Sequence, residues 1–364
     1  MLSKVSKAAL VTLLLCSFLT RPSHAGKEVK LDPLPEPLSN NAIAVSYGEA
    51  GTKIFSFMGI GPKKTPDAIT TNAYEMDLNS GKWEEKRPVP GVVGRLGASA
   101  VALGGQVFIF GGYAVDENGG ETTFSDLNVF VPFENRYYRG KDIPVPVDDT
   151  VAAPYKDRYI FLIGGWSKDH AVRNVQIYDT DKNEWKQATP IPGTPVFGHA
   201  GAIVGDTIVY VDGAYKNPNT DGPKYAASSE CWMGKIPDPK KGDITKIAWT
   251  KLPPHPGNAR YRIATGAAPS SKKGGKIYFS GGTDNPYNYG GVGYDGRPAE
   301  PSPVTFAYDT RSGNWETINE NTPDATMDHR GLVVAHSALL LVGGMEKGQK
   351  VTGKVTVVNV GAKK

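Results

Sequence analysis

Cysteine is nearly absent from this chain: 364 residues hold two, Cys16 and Cys231, and histidine and methionine number six each. Two cysteines so placed exclude a disulfide-stapled framework, and the paired Cys-x-x-Cys spacings of structural zinc sites do not occur. Long apolar runs are missing too. Past residue 25 no stretch reaches the roughly 18 apolar residues that a spanning helix needs, so no stable membrane insertion is expected. Neither charge sign prevails: 41 Lys plus Arg face 37 Asp plus Glu, with no basic stripe, which excludes a nucleic-acid groove. Catalytic signatures are absent as well, with no Gly-x-Ser-x-Gly elbow, no phosphate-cradling loop and no His-Glu-x-x-His pair. What abounds is glycine, 43 residues or about 12%, together with 28 prolines. That balance predicts many turns and short strands rather than long helices.

The N-terminus has a different character. Lys4 and Lys7 open a basic start, Ala8 to Leu19 is apolar, and Ser23, His24 and Ala25 form a small-x-small cleavage site. Residues 1–25 are thus expected to be a secretory signal cut after Ala25, placing the protein in the periplasm or outside the cell. The cut removes Lys4, Lys7, Arg21 and Cys16 and no acidic residue, leaving 38 basic against 37 acidic side chains. Residues 26–364 then form one unit with Cys231 as its single thiol.

That unit repeats itself. Six apolar strands end at a glycine position: IFSFMG at 54–59, VFIFGG at 107–112, IFLIGG at 160–165, IVYVDG at 208–213, IYFSGG at 277–282 and LLLVGG at 339–344. A second landmark is an aromatic or methionine seven residues before another aromatic: Met76 to Trp83, Phe130 to Tyr137, Tyr178 to Trp185 and Tyr308 to Trp315. The fourth copy departs, running from Trp232 to Trp249. From that second aromatic to the next glycine pair the intervals are 28, 27, 27, 32 and 28 residues. A near-constant interval over five copies marks a repeat architecture.

The glycine pairs, the Asp77, Asp179 and Asp309 turns and the tryptophans resemble the kelch family over essentially the whole mature chain. The resemblance implies an all-β, six-bladed β-propeller of four-stranded antiparallel blades, about 56 residues each. The sixth copy ends soon after Val355 to Val360, and Val29, Leu31, Pro33, Leu34 and Pro35 are expected to supply its missing fourth strand. A monomer closed by its own N-terminus follows.

Three long loops, Tyr113 to Ser125, Ala214 to Ser229 and Thr283 to Ser302, fall on one mouth of the expected ring. Loops of that length usually serve a purpose. Tyr215, Asn217, Asn219 and Tyr225, then Asp284, Asn285, Tyr287, Asn288, Tyr289 and Tyr294, suit a sugar or a polar protein surface. Arg95, His199, Arg260, Arg262, His329 and Arg330 stand at or before inner strands. They either bind an anionic ligand at the channel mouth or pair with Asp148, Asp149, Asp324 and Asp328. Cys231 reads as a packed strand residue. Glu320, Asp324, Asp328 and His329 faintly resemble the iron-ligating run of plant kelch specifier proteins, but the spacing before His329 is one too long. No metal site and no cofactor are therefore expected.

Among exported kelch propellers the layout is similar to that of the N-acetylneuraminate epimerases, and more weakly to the central domain of galactose oxidase. The first resemblance implies an acidic-sugar mutarotase, whose family carries a catalytic glutamate in an Asn-Gly-Glu context after the fourth-blade strand. Here that run is Asp212, Gly213, Ala214, so Asp212 or Glu230 would have to take its place. The galactose oxidase chemistry needs a Cys-Tyr crosslink and companion domains that this chain does not support. The partners left open are a small acidic sugar and, without catalysis, a protein or peptide at the mouth.

Overall fold

A computed structural model describes residues 29–49, 51–91, 93–267, 274–335 and 338–360. The expected signal segment and its cleavage site lie outside the described residues. Five four-stranded antiparallel sheets and one three-stranded sheet succeed one another along the chain. The first is Ala42–Gly48, Gly51–Ile60, Ile69–Asp77 and Lys82–Lys86, each strand paired with the next. The first strands of successive sheets lie side by side around a common axis, and the Tyr47 hydroxyl donates to the Val334 carbonyl (2.9 Å) to join the last to the first. The arrangement is a six-bladed propeller.

Strand chemistry follows position in the blade. Inner strands such as Ser99–Leu103 and Ala200–Val204 are small-residue runs, SAVAL and AGAIV, which lets six of them converge. Second strands are covered on both faces; Thr207–Val211 is buried throughout, so it reads as a continuous apolar run. Outer strands are polar except for one aromatic, as in Lys82–Lys86 (KWEEK) and Glu184–Ala188 (EWKQA). That aromatic fills the wedge between blades: Trp185 lies 5.0 Å from the Tyr178 ring of its own blade and 6.0 Å from Phe110 of the preceding one. Each indole N–H also finds a backbone carbonyl in the linker leaving the previous blade. Trp83 donates to Asp32 (3.0 Å), Trp185 to Lys141 (2.8 Å), Trp249 to Thr189 (3.3 Å) and Trp315 to Pro253 (2.9 Å).

The N-terminal segment closes the ring, though with fewer bonds than a ladder. Among the described residues the sixth sheet has three strands, Val333–Ala335, Ala338–Val342 and Val355–Asn359. Residues 32–38 join it through Leu34 N–H to the Gly353 carbonyl (2.7 Å) and Leu38 N–H to Thr352 (3.3 Å). Val89 to Thr71, Ile143 to Ser125 and Ile191 to Arg173 repeat the first of these bonds in earlier blades. Residues 32–38 thus stand where a linker leaves a fourth strand. Pro33, Pro35 and Pro37 have no N–H to give, which is why this stretch docks by spaced bonds. Leu34 and Leu38 bury among Tyr74, Met76, Leu340 and Val342.

A sixfold turn organises the mouth. Ser39, Leu96, Asp148, Phe197, Tyr261 and Met327 each bridge the residue that follows a glycine position, namely Ile60, Tyr113, Trp166, Ala214, Thr283 and Met345. The close passage explains the glycines: a Cβ on Gly111 would run into the Val147 carbonyl oxygen. The next residue in every blade is left-handed: Asn40, Gly97, Asp149, Gly198, Arg262 and Asp328 have φ from 49° to 72°. Hydrogen bonds then run from blade to blade around the axis. Asn40 N–H donates to Asp328 O, Gly97 N–H to the Asn40 side-chain Oδ1, Asp149 N–H to Gly97 O and Gly198 N–H to Asp149 O. Arg262 N–H donates to Gly198 O and His329 N–H to Arg262 O, which closes the circuit.

Candidate functional site

Side chains from four of these six left-handed positions meet on the axis. Arg262 Nη1 donates to Asp328 Oδ1 (2.9 Å), and its Nη2 and Nε donate to Asp149 Oδ2 (3.0 and 3.2 Å). Arg330 pairs with Asp149 Oδ1 and donates from Nε to Asn40 Oδ1 (3.2 Å). Asp328 accepts further bonds from Ser39 Oγ (2.6 Å) and Asn40 Nδ2 (2.8 Å), and the Tyr261 hydroxyl donates to Asp149 (3.0 Å). The guanidinium of Arg262 lies over the rings of Tyr261 and Tyr287, at 4.8 and 5.3 Å. Two arginines and two aspartates therefore cancel in a plug whose Arg262 side chain is 3% exposed. Burial opposes the charge on Asp149, but Arg262 and Arg330 outweigh it and hold that carboxyl below the usual range. Its neighbour Asp148 goes the other way, because burial and the charge of Asp149 push it well up.

An aromatic layer adjoins the plug. Phe197 meets Trp166, Tyr225 and Tyr261 edge-on at 5.0 to 5.5 Å, and Tyr225 meets Tyr294 at 4.6 Å. Two of the long loops supply this layer, Tyr225 from the hairpin of Ala214–Lys216 with Tyr225–Ala227 and Tyr294 from residues 283–302, while the hairpin of Tyr113–Val115 with Glu121–Thr123 packs beside Ile60 and Leu96. Tyr215 and Tyr289 are half-buried on the rim, while Tyr287 is fully buried beneath it.

The basic residues separate by their offset from the bridging residue. Arg95 and Arg260, one before it, turn away from the axis and serve the glycine carbonyls of their own blades. Arg95 donates to Gly111 O (3.1 Å), pairs with Asp126 and covers the Phe124 ring at 4.1 Å. Arg260 donates to Gly281 O (3.3 Å) and Val304 O (3.0 Å) and lies over Phe306 at 5.2 Å. Arg262, one after, and Arg330, three after, enter the plug. His199 and His329, two after, wedge beside the glycine turns: His199 Nε2 meets the Ile163 carbonyl (2.9 Å) and His329 Nε2 meets Thr326 Oγ1 (2.8 Å). The proton-transfer candidates lie elsewhere. Asp212 Oδ2 accepts from the Arg260 backbone N–H (2.9 Å) and contacts His255 Nε2 (2.8 Å), while Glu230 accepts from Thr194 N–H (3.0 Å) and pairs with Lys251 (3.2 Å). Tyr113, Tyr261, Asn40 and Ser39 belong to the plug without any sequence motif to mark them. The faint iron-like run divides, with Asp328 in the plug and Asp324 exposed beside Lys354 at 3.6 Å.

Burial pushes both His199 and His329 down to about 4, so each is neutral in the folded protein. Unfolded, each titrates near 6.5, so between about pH 6.5 and 4 the unfolded chain takes up the extra protons and stability falls with pH. By pH 4.5 the loss should reach about 2 kcal/mol per histidine. The double variant His199→Gln/His329→Gln should show a shallower fall in urea unfolding between pH 7 and pH 4.5; curves that stay parallel to wild type would remove this account.

Comparison with known proteins places these features. A family model described as the KLHDC2/KLHL20/DRC7 Kelch-repeats domain matches residues 39–282. The N-acetylneuraminate epimerase of Salmonella arizonae is 23% identical over 324 residues, covering 78% of this chain and 77% of that protein. Kelch-like protein 36 of Bos taurus is 26% identical over 40% of this chain and 23% of its own length. The solved structure titled "Structure of YjhT" superposes with a TM-score of 0.69 at 17% identity, covering 90% of this chain and 99% of that one, a likeness of fold. With a family model spanning well over half its length and a glycine turn in every blade, this chain belongs to the kelch-repeat family of β-propellers.

Proposed function

We propose that the chain is an exported, non-catalytic binding propeller that docks a polar protein surface on the rim of its mouth. The observation that carries this reading is the plug: the arginines at the axis are neutralised by Asp149 and Asp328, leaving no free cation there among the described residues to hold a carboxylate. What remains open is a rim of half-buried aromatics, Tyr215, Tyr289 and Tyr294, among polar side chains, a composition typical of protein-binding surfaces. Export rests on residues 1–25, and a mature protein whose intact mass begins at Gly26 is the expected result.

A second reading has its own support. The relatives named N-acetylneuraminate epimerase match over three quarters of both chains, and adjacent Asp148 and Asp149 are driven apart in acidity, the pairing that an acid–base step uses. One experiment separates the two. Anomer exchange of N-acetylneuraminate followed by NMR should run at the buffer rate with the protein present. Acceleration that Asp148→Asn abolishes would replace the binding reading with the mutarotase one.

A further inference from the structure

Blade four brings three potential metal ligands together away from the plug. Asp212 follows the second strand, Thr207–Val211; Cys231 opens the third, Cys231–Lys235; His255 lies three residues beyond the fourth, Ala248–Leu252. Val211 pairs with Cys231 and Cys231 with Leu252, so the three residues emerge at one end of the sheet. One ligand atom from each lies within 4.8 Å of the others, and all three residues are buried.

The hydrogen-bond accounting leaves one buried carboxylate oxygen of this cluster without a partner among the described residues. His255 Nδ1 is 2.8 Å from the Pro256 carbonyl, which can only accept, so Nδ1 donates there, and the 2.8 Å contact of Nε2 with Asp212 Oδ2 holds one proton between the two atoms that a metal ion would displace. Asp212 Oδ2 is occupied by the Arg260 backbone N–H, and Oδ1 is buried with no hydrogen-bond partner among the described residues. The Cys231 thiol makes a long 3.9 Å contact to the Ser229 carbonyl and lies beside the His255 backbone. The nearby guanidinium of Arg260 is engaged with Gly281 O and Val304 O. Nitrogen, carboxylate oxygen and sulfur thus converge in a buried cluster, and a buried carboxylate oxygen left alone is costly.

We propose that Asp212, Cys231 and His255 bind a divalent transition-metal ion in blade four, with zinc the best match to this nitrogen, sulfur and oxygen donor set. Metal binding converts the Cys231 thiol to thiolate and displaces the proton between His255 and Asp212, and both protons leave to solvent. The supporting contacts are those such sites use: a backbone carbonyl fixes the tautomer at His255 Nδ1, and a backbone N–H orients Asp212. Phe306 stacks on the His255 ring at 4.2 Å and holds its plane. The assignment is independent of whether the mouth binds protein or sugar.

Cobalt titration of the full-length, chelator-treated protein tests this. A near-ultraviolet thiolate-to-cobalt band should saturate at one equivalent, vanish when zinc is added, and be accompanied by a zinc-dependent rise in Tm. Cys231→Ser and Cys231→Ala should both lose the band, the second covering the case that a serine hydroxyl is not tolerated in this buried position. Absence of the band in wild type, or its survival in a folded Cys231 variant, would overturn the site.

Discussion

Replacing Arg262 with alanine should lower the free energy of unfolding by about 3–5 kcal/mol, because it strands the buried Asp328 carboxylate and leaves Asp149 to Arg330 alone rather than merely deleting one bond. Asp149 and Asp328 both face Arg262 at hydrogen-bond distance, and both are essentially inaccessible to water. Of the two roles the sequence left open for these arginines, anion binding would predict loss of an acidic ligand from an intact ring. The plug predicts a folding defect instead, readable by urea denaturation. The double variant Arg262→Ala/Asp328→Asn supplies the control, since removing the stranded charge while keeping the Asp149–Arg330 pair should recover part of the loss. A single-variant cost below about 1 kcal/mol, the level of an exposed ion pair, would show that the plug is open to solvent.

Removing residues 26–36 should produce a loss of similar size at the opposite end of the chain. The deletion removes Leu34 from the core it shares with Tyr74 and Leu340, and the Leu34 bond to Gly353 with it. It also leaves the Trp83 indole without its Asp32 carbonyl. Leu34→Ala alone should cost about 2–5 kcal/mol. The deletion goes further by opening the seam between the last blade and the first, so its urea transition should become less steep or split in two. An unchanged Tm would mean that the bonds from Asn40 and Tyr47 across this seam suffice by themselves.

The ring was legible in the sequence because its determinants are local and recur in kind. A glycine is needed where two backbones pass closely, and an aromatic where two sheets diverge, so both leave a period. The site was legible only in part. Arg95 and Arg262 look alike in the sequence, each just ahead of an inner strand, yet an offset of two residues relative to the bridging residue sends them in different directions. Arg95 turns to Asp126 and Phe124, Arg262 to the axis. Nothing in residue type marks that difference, because what recurs at the axis is a backbone angle shared by Asn40, Gly97, Asp149, Gly198, Arg262 and Asp328. The Asp212, Cys231 and His255 cluster was hidden for a related reason: strand register brings together residues up to 43 positions apart.

The left-handed turns carry a consequence for how such a molecule can change. Each blade contributes one axial position whose backbone is fixed by its neighbours and whose side chain is free of any strand. Asparagine, aspartate and glycine adopt that conformation at little cost, whereas Arg262 does so under strain and is retained by two carboxylates. The six positions act as a small alphabet written around the axis. Gly198, packed against the Tyr261 ring, is a letter that cannot grow, while Asn40, Asp149 and Asp328 are read together with Arg262, so that changing one calls for a change in its partners. Relatives with the same strands could therefore hold quite different chemistry at the centre, and a search for function in this fold should compare those six letters before it compares the blades.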